Sequence, residues 1–400
     1  MRRSLKRRVK SLYQGPAEKL ASLYRRRLDG IHVVGITGSC GKTSAKDFTA
    51  LVLSTKFTGR KSYDTTNNAY SVARTLLSTR PWDRFCVQEV GAYGPGGMDW
   101  PLAVLRPTIG VITVIGTDHY TSFRGPDGVL REKRKLVDAL PADGIAVLNV
   151  DDPCLAALAA QLQVRVVGFG ISDHADLRAE NVAGVYPQPL SFDACSGNER
   201  VRVETRLLGR HQLPSILAAM AVGSVAGIAL EDAARAIGAV AGPTSRMSRI
   251  ETVNGVTFID DSYKASWWSL DAVYVFMGTA RASRKWLVLG TVSDHNLKRP
   301  RLYRRLAKQA LACVDQVVFV GRSAYHAPDV GGRVHSFAHV READEFLHAK
   351  LRSGDLVFVK GSNPADHLSR LVLSHLRTVT CWRENCGFSI HCRDCRLLGR

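Results

Sequence analysis

Hydrophobic positions along the chain fall into short unbroken runs, separated by stretches where apolar residues recur every three or four positions. Residues 31–36, 85–90, 109–115 and 145–149 are runs of the first kind. Apolar on both faces and only five to seven residues long, they read as strands of a mostly parallel sheet covered on both sides. Residues 42–53 and 129–140 carry the helical period. Residues 154–240 are less regular and end in an Ala-rich helix predicted over 213–226. A linker is predicted at Pro243-Thr-Ser245, and a second α/β set follows it, with strands at 286–290, 316–320 and 356–360. The pattern predicts a basic helical arm (1–30), a central domain (31–242), a C-terminal domain (243–378) and a Cys-rich tail (379–400). No internal repeat interrupts it.

Composition narrows the class. Hydrophobic residues make up 45% and charged residues 23%, ordinary globular values. No run approaches the roughly 18–20 apolar residues of a membrane-spanning helix. The 55 Lys and Arg against 36 Asp and Glu leave a net charge of +19. About half of that excess lies in residues 1–27, which hold ten basic residues and one acid, Glu18. Leu5, Val9, Leu12, Leu20, Leu23 and Tyr24 form an apolar stripe within the arm. The arm is expected either to pack on the body or to meet an acidic or carrier partner, RNA or anionic lipid. No aromatic interleaving points to nucleic acid, and no apolar signal-peptide core is present, so a cytoplasmic protein is expected.

Gly35-Ile-Thr-Gly-Ser-Cys-Gly-Lys-Thr-Ser44 follows a predicted strand and opens a predicted helix. Glycines there let backbone N–H groups of Thr37, Gly38, Ser39, Cys40, Gly41 and Ser44 face an anion, and the helix N-terminus adds positive potential. Lys42 can neutralise β- and γ-phosphates, and the Thr43 hydroxyl can ligate Mg²⁺. Ile36 occupies the first glycine position of the full phosphate-loop pattern, but the strand–loop–helix setting still predicts a nucleotide phosphate site.

Ligands of open α/β sheets bind beyond the carboxyl ends of the strands. Glu89, His119, Asn149 and Asp151 fall there, a donor set suited to Mg²⁺ or to turns and caps. Lys133 is unusual. Val129, Leu130, Leu136, Val137 and Leu140 flank it at helical spacing, so one lysine sits on the apolar stripe. It must snorkel or do chemistry. Burial would lower its pKa, and a neutral amine can add CO₂ to become a carbamate, an oxygen ligand for Mg²⁺.

Taken in order, these segments resemble the Mur ligase family, most closely its MurF type. The phosphate loop, Asn67-Asn68, Glu89-Val-Gly-Ala92, Leu105-Arg-Pro107 with Ile112-Thr-Val-Ile-Gly-Thr-Asp-His119, Lys133 and Asn149-Val-Asp-Asp152 carry the first half of the resemblance. Gly209-Arg-His-Gln212, Ser245-Arg246, Asp260-Asp-Ser-Tyr263 and Val359-Lys-Gly-Ser362 carry the second. The resemblance implies a phosphate-loop central domain with a mostly parallel sheet and a Rossmann-like C-terminal domain. It implies an ATP-dependent, ADP-forming ligase that joins small-molecule carboxylate and amine substrates through an acyl phosphate. It assigns Asn68, Asn149 and Arg246 to the nucleotide and Asp261 to catalysis. Thr43 and Glu89 would hold one Mg²⁺, and His119 with carbamylated Lys133 a second.

The chain departs from the family pattern at several points. About 30 residues precede the first strand, where MurF-type enzymes carry a UDP-sugar-binding domain. Gln212 and Ser215 replace two Asn, Lys264 replaces another, Trp267-Trp268 follows, and Gly290-Thr-Val-Ser-Asp294 replaces a Gly-Asp-Met loop. These departures lead to the expectation of a specialised peptide, amino-acid or natural-product substrate. A MurF-type peptidoglycan ligase and a catalytically inactive nucleotide-binding homologue are the alternatives.

Nine cysteines are present, and four of them close the chain: Cys381, Cys386, Cys392 and Cys395, with His391 among them. Four thiolates can hold Zn²⁺ tetrahedrally and order a tail too short for its own core. Only Cys392-Arg-Asp-Cys395 has tight ribbon-like spacing. Free thiols and a redox role remain alternatives.

Overall fold

The computed structural model describes residues 15–116, 120–240, 246–384, 386, 388 and 390–399. Contacts divide the chain into two units. The first comprises Met1–Ala183, Leu190–Thr205 and His211–Val240, and the second Gly184–Pro189, Arg206–Arg210 and Ala241–Arg400.

In the first unit a nine-stranded sheet runs in the order β2-β3-β1-β4-β5-β6-β7-β8-β9. Its strands are β1 (His32–Thr37), β2 (Gly59–Lys61), β3 (Phe85–Glu89), β4 (Ile109–Ile112), β5 (Ile145–Asn149), β6 (Arg165–Gly170), β7 (Leu177–Ala183), β8 (Ser191–Ser196) and β9 (Glu199–Glu204). Pairing is parallel from β2 through β7, then antiparallel to β9. Val33, Val34 and Ile36 are fully buried, as expected of a strand covered on both faces. The helices are α1 (residues 15–25), α2 (Lys42–Leu53), α3 (Ala69–Ser78), α4 (Asp99–Leu105), α5 (Tyr120–Phe123), α6 (Pro126–Asp138), α7 (Pro153–Ala159), α8 (Leu213–Val225) and α9 (Leu230–Gly238).

Two expectations change here. The strand predicted over 109–115 ends at Ile112, because beyond Thr113 the backbone pairs with Ser39 of the phosphate loop and with the Asp152 carboxylate instead of a neighbouring strand. The region 154–240 holds four strands. In β9 nearly every residue is exposed or half-exposed, so no apolar run marks it. The arm also differs in detail. Ala21 and Leu28 are buried, while Leu20 and Leu23 are exposed. Tyr24 donates its hydroxyl to Thr79 O at 2.8 Å, and the Arg25 guanidinium donates to the carbonyls of Leu105, Leu28 and Arg106. Part of its charge therefore serves packing. The stripe residues Leu5, Val9 and Leu12 lie outside the described residues.

In the second unit a six-stranded sheet runs β10-β11-β15-β12-β13-β14, antiparallel only between β10 and β11. The strands are β10 (Ser248–Glu251), β11 (Thr257–Asp261), β12 (Arg284–Leu289), β13 (Gln316–Val320), β14 (Val334–Phe337) and β15 (Asp355–Lys360). Around them lie α10 (Leu270–Thr279), α11 (Arg299–Leu311), α12 (Val340–Lys350), α13 (Asn363–Asp366) and α14 (Ser369–Ser374). The tail borrows its core: Val379, Cys392 and Leu398 pack with Leu373 of α14. Among the described residues no helix is long and apolar enough to cross a membrane.

Asp152 joins two parts of the first unit. Its carboxylate caps α7 through Cys154 N and Leu155 N and also accepts Ile115 N at 2.6 Å. Asp152→Ala is expected to lower stability by about 2 kcal/mol, and Asp152→Asn by less, read from the urea midpoint of unfolding.

Candidate functional site

The site in the first unit is set by strand register. β1 lies between β3 and β4, and Ile36 is level with Glu89. The carboxyl end of β1 therefore releases the phosphate loop beside a buried carboxylate. Gly38 has φ 143° and Gly41 φ 75°, which L side chains rarely adopt. A Cβ on Gly38 would also lie 2.0 Å from Thr113 Oγ1. Gly41 precedes α2, so the first N–H groups of that helix face the loop. Lys42 folds back, its Nζ donating to Gly38 O at 2.7 Å. Thr43 Oγ1 donates to Glu89 Oε2 at 2.7 Å, and Asn67 Nδ2 donates to Glu89 Oε1 at 3.1 Å. The Thr37 hydroxyl is buried without a hydrogen-bond partner among the described residues. Hydroxyl and carboxylate oxygens side by side suit a hard divalent cation, and the loop suits phosphate.

A strap beyond β4 encloses the loop. Ser39 N donates to Val114 O and Gly116 N to Ser39 Oγ, both at 2.8 Å. The Thr113 hydroxyl donates to Cys40 O. Asn149, at the end of β5, donates its amide to Thr113 O at 2.9 Å and accepts Asp151 N, so its side chain holds the strap. Of the expected Asn pair, Asn67 reaches Glu89, while Asn68 caps α3 through Ser71 N.

Sequence reasoning missed two buried charges. Lys46 is 1% exposed, and its Nζ donates to Ser62 O and Asp64 O, below the segment carrying Asn67. Burial pushes its pKa down, and the Asp47 and Glu89 carboxylates oppose that shift. Glu132 accepts Gly96 N and Met98 N, each at 2.9 Å, fixing the chain after β3. Spacing gave one signal: Lys46 lies one helical turn after Lys42.

Lys133 is buried at 3% exposure, as its place on the apolar stripe of α6 predicts. The helix packs on mid-sheet through Leu136, which a Cβ on Gly35 would meet at 2.7 Å. Lys133 lies about one turn nearer the helix N-terminus, the end that faces the carboxyl ends of the strands in a parallel crossover. His119 and Ser245 lie outside the described residues.

In the second unit, Asp261 ends β11 beside Lys360, which ends β15, and Lys360 Nζ donates to Asp261 Oδ2 at 2.5 Å. Arg246 stacks its guanidinium 4.4 Å from the Tyr263 ring centroid. Asp366 accepts Thr291 N, the Thr291 hydroxyl and Ser362 N. Burial raises its pKa and those bonds oppose the rise. Gly290 is required there, since a Cβ would lie 2.3 Å from Asp366 Oδ2. A cavity of about 450 Å³ opens beyond β12 and β13, lined in part by Thr291, His295, Arg299, Arg322, Asp366 and Glu384. A second, of about 20 Å³, is lined by Cys381, Cys386, Cys392 and Cys395 with His367 and Arg370.

Residues 36–223 match the Mur ligase middle domain, and residues 245–363 match the Mur ligase glutamate ligase domain. The UDP-N-acetylmuramoyl-tripeptide–D-alanyl-D-alanine ligase of Mycobacterium leprae is 30% identical over 372 residues, 84% of this chain and 71% of that one. The chain belongs to the Mur ligase family. The corresponding Escherichia coli ligase is 27% identical over 324 residues, 80% of this chain and 71% of its own length. Among solved structures, MurF from Acinetobacter baumannii superposes with a TM-score of 0.81 at 24% identity, covering 91% of this chain and 81% of its own. MurF from Thermotoga maritima in complex with ADP gives 0.78 at 21% identity, covering 90% and 83%.

As a Mur ligase, the chain is an ATP-dependent, ADP-forming amide ligase. These relatives give no support to a specialised substrate and fit the MurF-type alternative better. Two of the departures in sequence have structural partners. Lys264 Nζ lies 3.6 Å from Asp294 Oδ2, so two substituted positions form an ion pair. The Ser215 hydroxyl donates to Gly41 O at 3.3 Å, so this substitution supports the phosphate loop.

Glu89→Gln preserves shape but removes the negative charge that suits a hard divalent cation beside a phosphate. Calorimetric titration should show affinity for ADP with Mg²⁺ falling about a hundredfold while the melting temperature moves little.

Proposed function

We propose that this Mur ligase carries out MurF-type peptide ligation, joining a UDP-N-acetylmuramoyl-tripeptide carboxylate to the amine of D-alanyl-D-alanine. The supporting observation is the cluster of buried Thr43 and Glu89 with half-buried Asn67, beside Lys42. The substrates follow the names of the relatives. The carboxylate oxygen attacks the γ-phosphorus of ATP, the bond to the β-phosphate oxygen breaks, and ADP leaves an acyl phosphate. The amine nitrogen then attacks the acyl carbon, loses a proton and expels phosphate.

The protein's part in these steps is positioning and charge neutralisation. Loop N–H groups and Lys42 orient the phosphates. Thr43 and Glu89 would hold Mg²⁺, with His119 and a carbamate on Lys133 for a second ion; when bound, Mg²⁺ neutralises phosphate charge. Glu132 fixes the chain beyond Glu89, and Asn149 holds the strap over the loop. The 450 Å³ cavity of the second unit suits an amine that also bears a carboxylate. Arg299 and Arg322 would receive the carboxylate, and Asp366 and Glu384 the ammonium.

The test combines ATP, Mg²⁺, the UDP-muramyl tripeptide and D-alanyl-D-alanine, with ADP release and product mass as readouts. ADP and a product one water lighter than the two substrates together are expected. Nucleotide binding with no ADP release would instead mark an inactive homologue. Lys133→Ala should lower kcat at least about a hundredfold, with partial recovery on adding short carboxylic acids. Arg322→Ala should raise KM for the amine about tenfold and leave KM for ATP unchanged.

A further inference from the structure

The tail is outside both matched domains, and the phosphate chemistry gives it no task. Its four cysteines, at positions 381, 386, 392 and 395, line one cavity of about 20 Å³, room for a single atom. Cys392 and Cys395 lie on one turn, with Cys395 N donating to Cys392 O at 3.1 Å. The His367 ring lies between two thiols, Nε2 at 3.1 Å from Cys386 Sγ and Nδ1 at 3.5 Å from Cys392 Sγ. Arg370 is 1% exposed, and its guanidinium donates to the carbonyls of Asp366, His367, Cys381 and Arg383. No ion pair among the described residues involves it. A buried cation with only neutral acceptors lacks counter-charge.

We propose that Cys381, Cys386, Cys392 and Cys395 bind one Zn²⁺, and that this ion holds Glu384 in the wall of the 450 Å³ cavity. Four thiolates around Zn²⁺ carry a net charge of minus two, which supplies the missing partner of Arg370. Binding displaces four thiol protons and changes no oxidation state. His367 donates to a metal-bound sulfur and so orients it. Glu384 sits between Cys381 and Cys386 and also contacts His339. Closing the two cysteines on one ion fixes the short segment that carries Glu384. The role of Glu384 rests on the proposed amine site, whereas the zinc site does not.

Two separate readings test this. Metal analysis of the purified full chain should find one zinc per chain. Replacement by Co²⁺ should give thiolate-to-cobalt charge-transfer absorption and the visible bands of a tetrahedral ion. Cys392→Ser should lose the metal. Metal-free wild-type protein that takes up neither Zn²⁺ nor Co²⁺, or that carries disulfides among these cysteines, would overturn the zinc site whatever the enzyme's substrates are. For the second part, zinc-loaded Glu384→Gln and chelator-stripped wild type should both raise KM for the amine about tenfold with KM for ATP unchanged. A KM unmoved by either would overturn the positioning of Glu384 and leave the metal result standing.

Discussion

The site of the first unit depends on one buried carboxylate. Glu89 closes β3 level with Ile36 and receives the Thr43 hydroxyl and the Asn67 amide on its two oxygens. A carboxylate at 2% exposure is stable only with such donors or a cation. Its position follows from parallel pairing, which brings the carboxyl ends of β1 and β3 together. The hydroxyl of the first helical turn and the amide from before α3 are thereby fixed to the same point.

The surrounding parts keep that point rigid. Lys46 ties the 62–64 segment to α2 by backbone carbonyls, and Glu132 gathers the N–H groups of Gly96 and Met98. Asn149 and Asp152 hold the strap that leaves β4. In each case a buried polar side chain satisfies backbone groups that the sheet has stopped pairing. Such groups are costly to leave unpaired, so these bonds fix the backbone around the loop.

The second unit uses the same principle at different places. Asp366 draws the turn after β12 against the segment after β15. Arg370, one turn further on, gathers carbonyls from its own helix and from the tail. Substituted positions are absorbed locally, as in the Lys264–Asp294 pair, so departures from a family pattern do not by themselves indicate lost function.

The sequence alone determined the α/β class, the phosphate loop with Lys42 and Thr43, the strand ends carrying Glu89 and Asn149, and the burial of Lys133. These are local properties: a run buried on both faces, a glycine spacing, one lysine on an apolar stripe. It left β8 and β9 unseen, because half-exposed antiparallel strands carry no apolar run. Tertiary structure alone decided that Asn67 meets Glu89 while Asn68 caps a helix, and that Asp261 pairs with Lys360. It also decided that Lys46 and Arg370 are buried among carbonyls and that the four tail cysteines share a cavity with His367. Those facts depend on which distant segments pack together, and that is fixed by sheet order and register rather than by spacing along the chain.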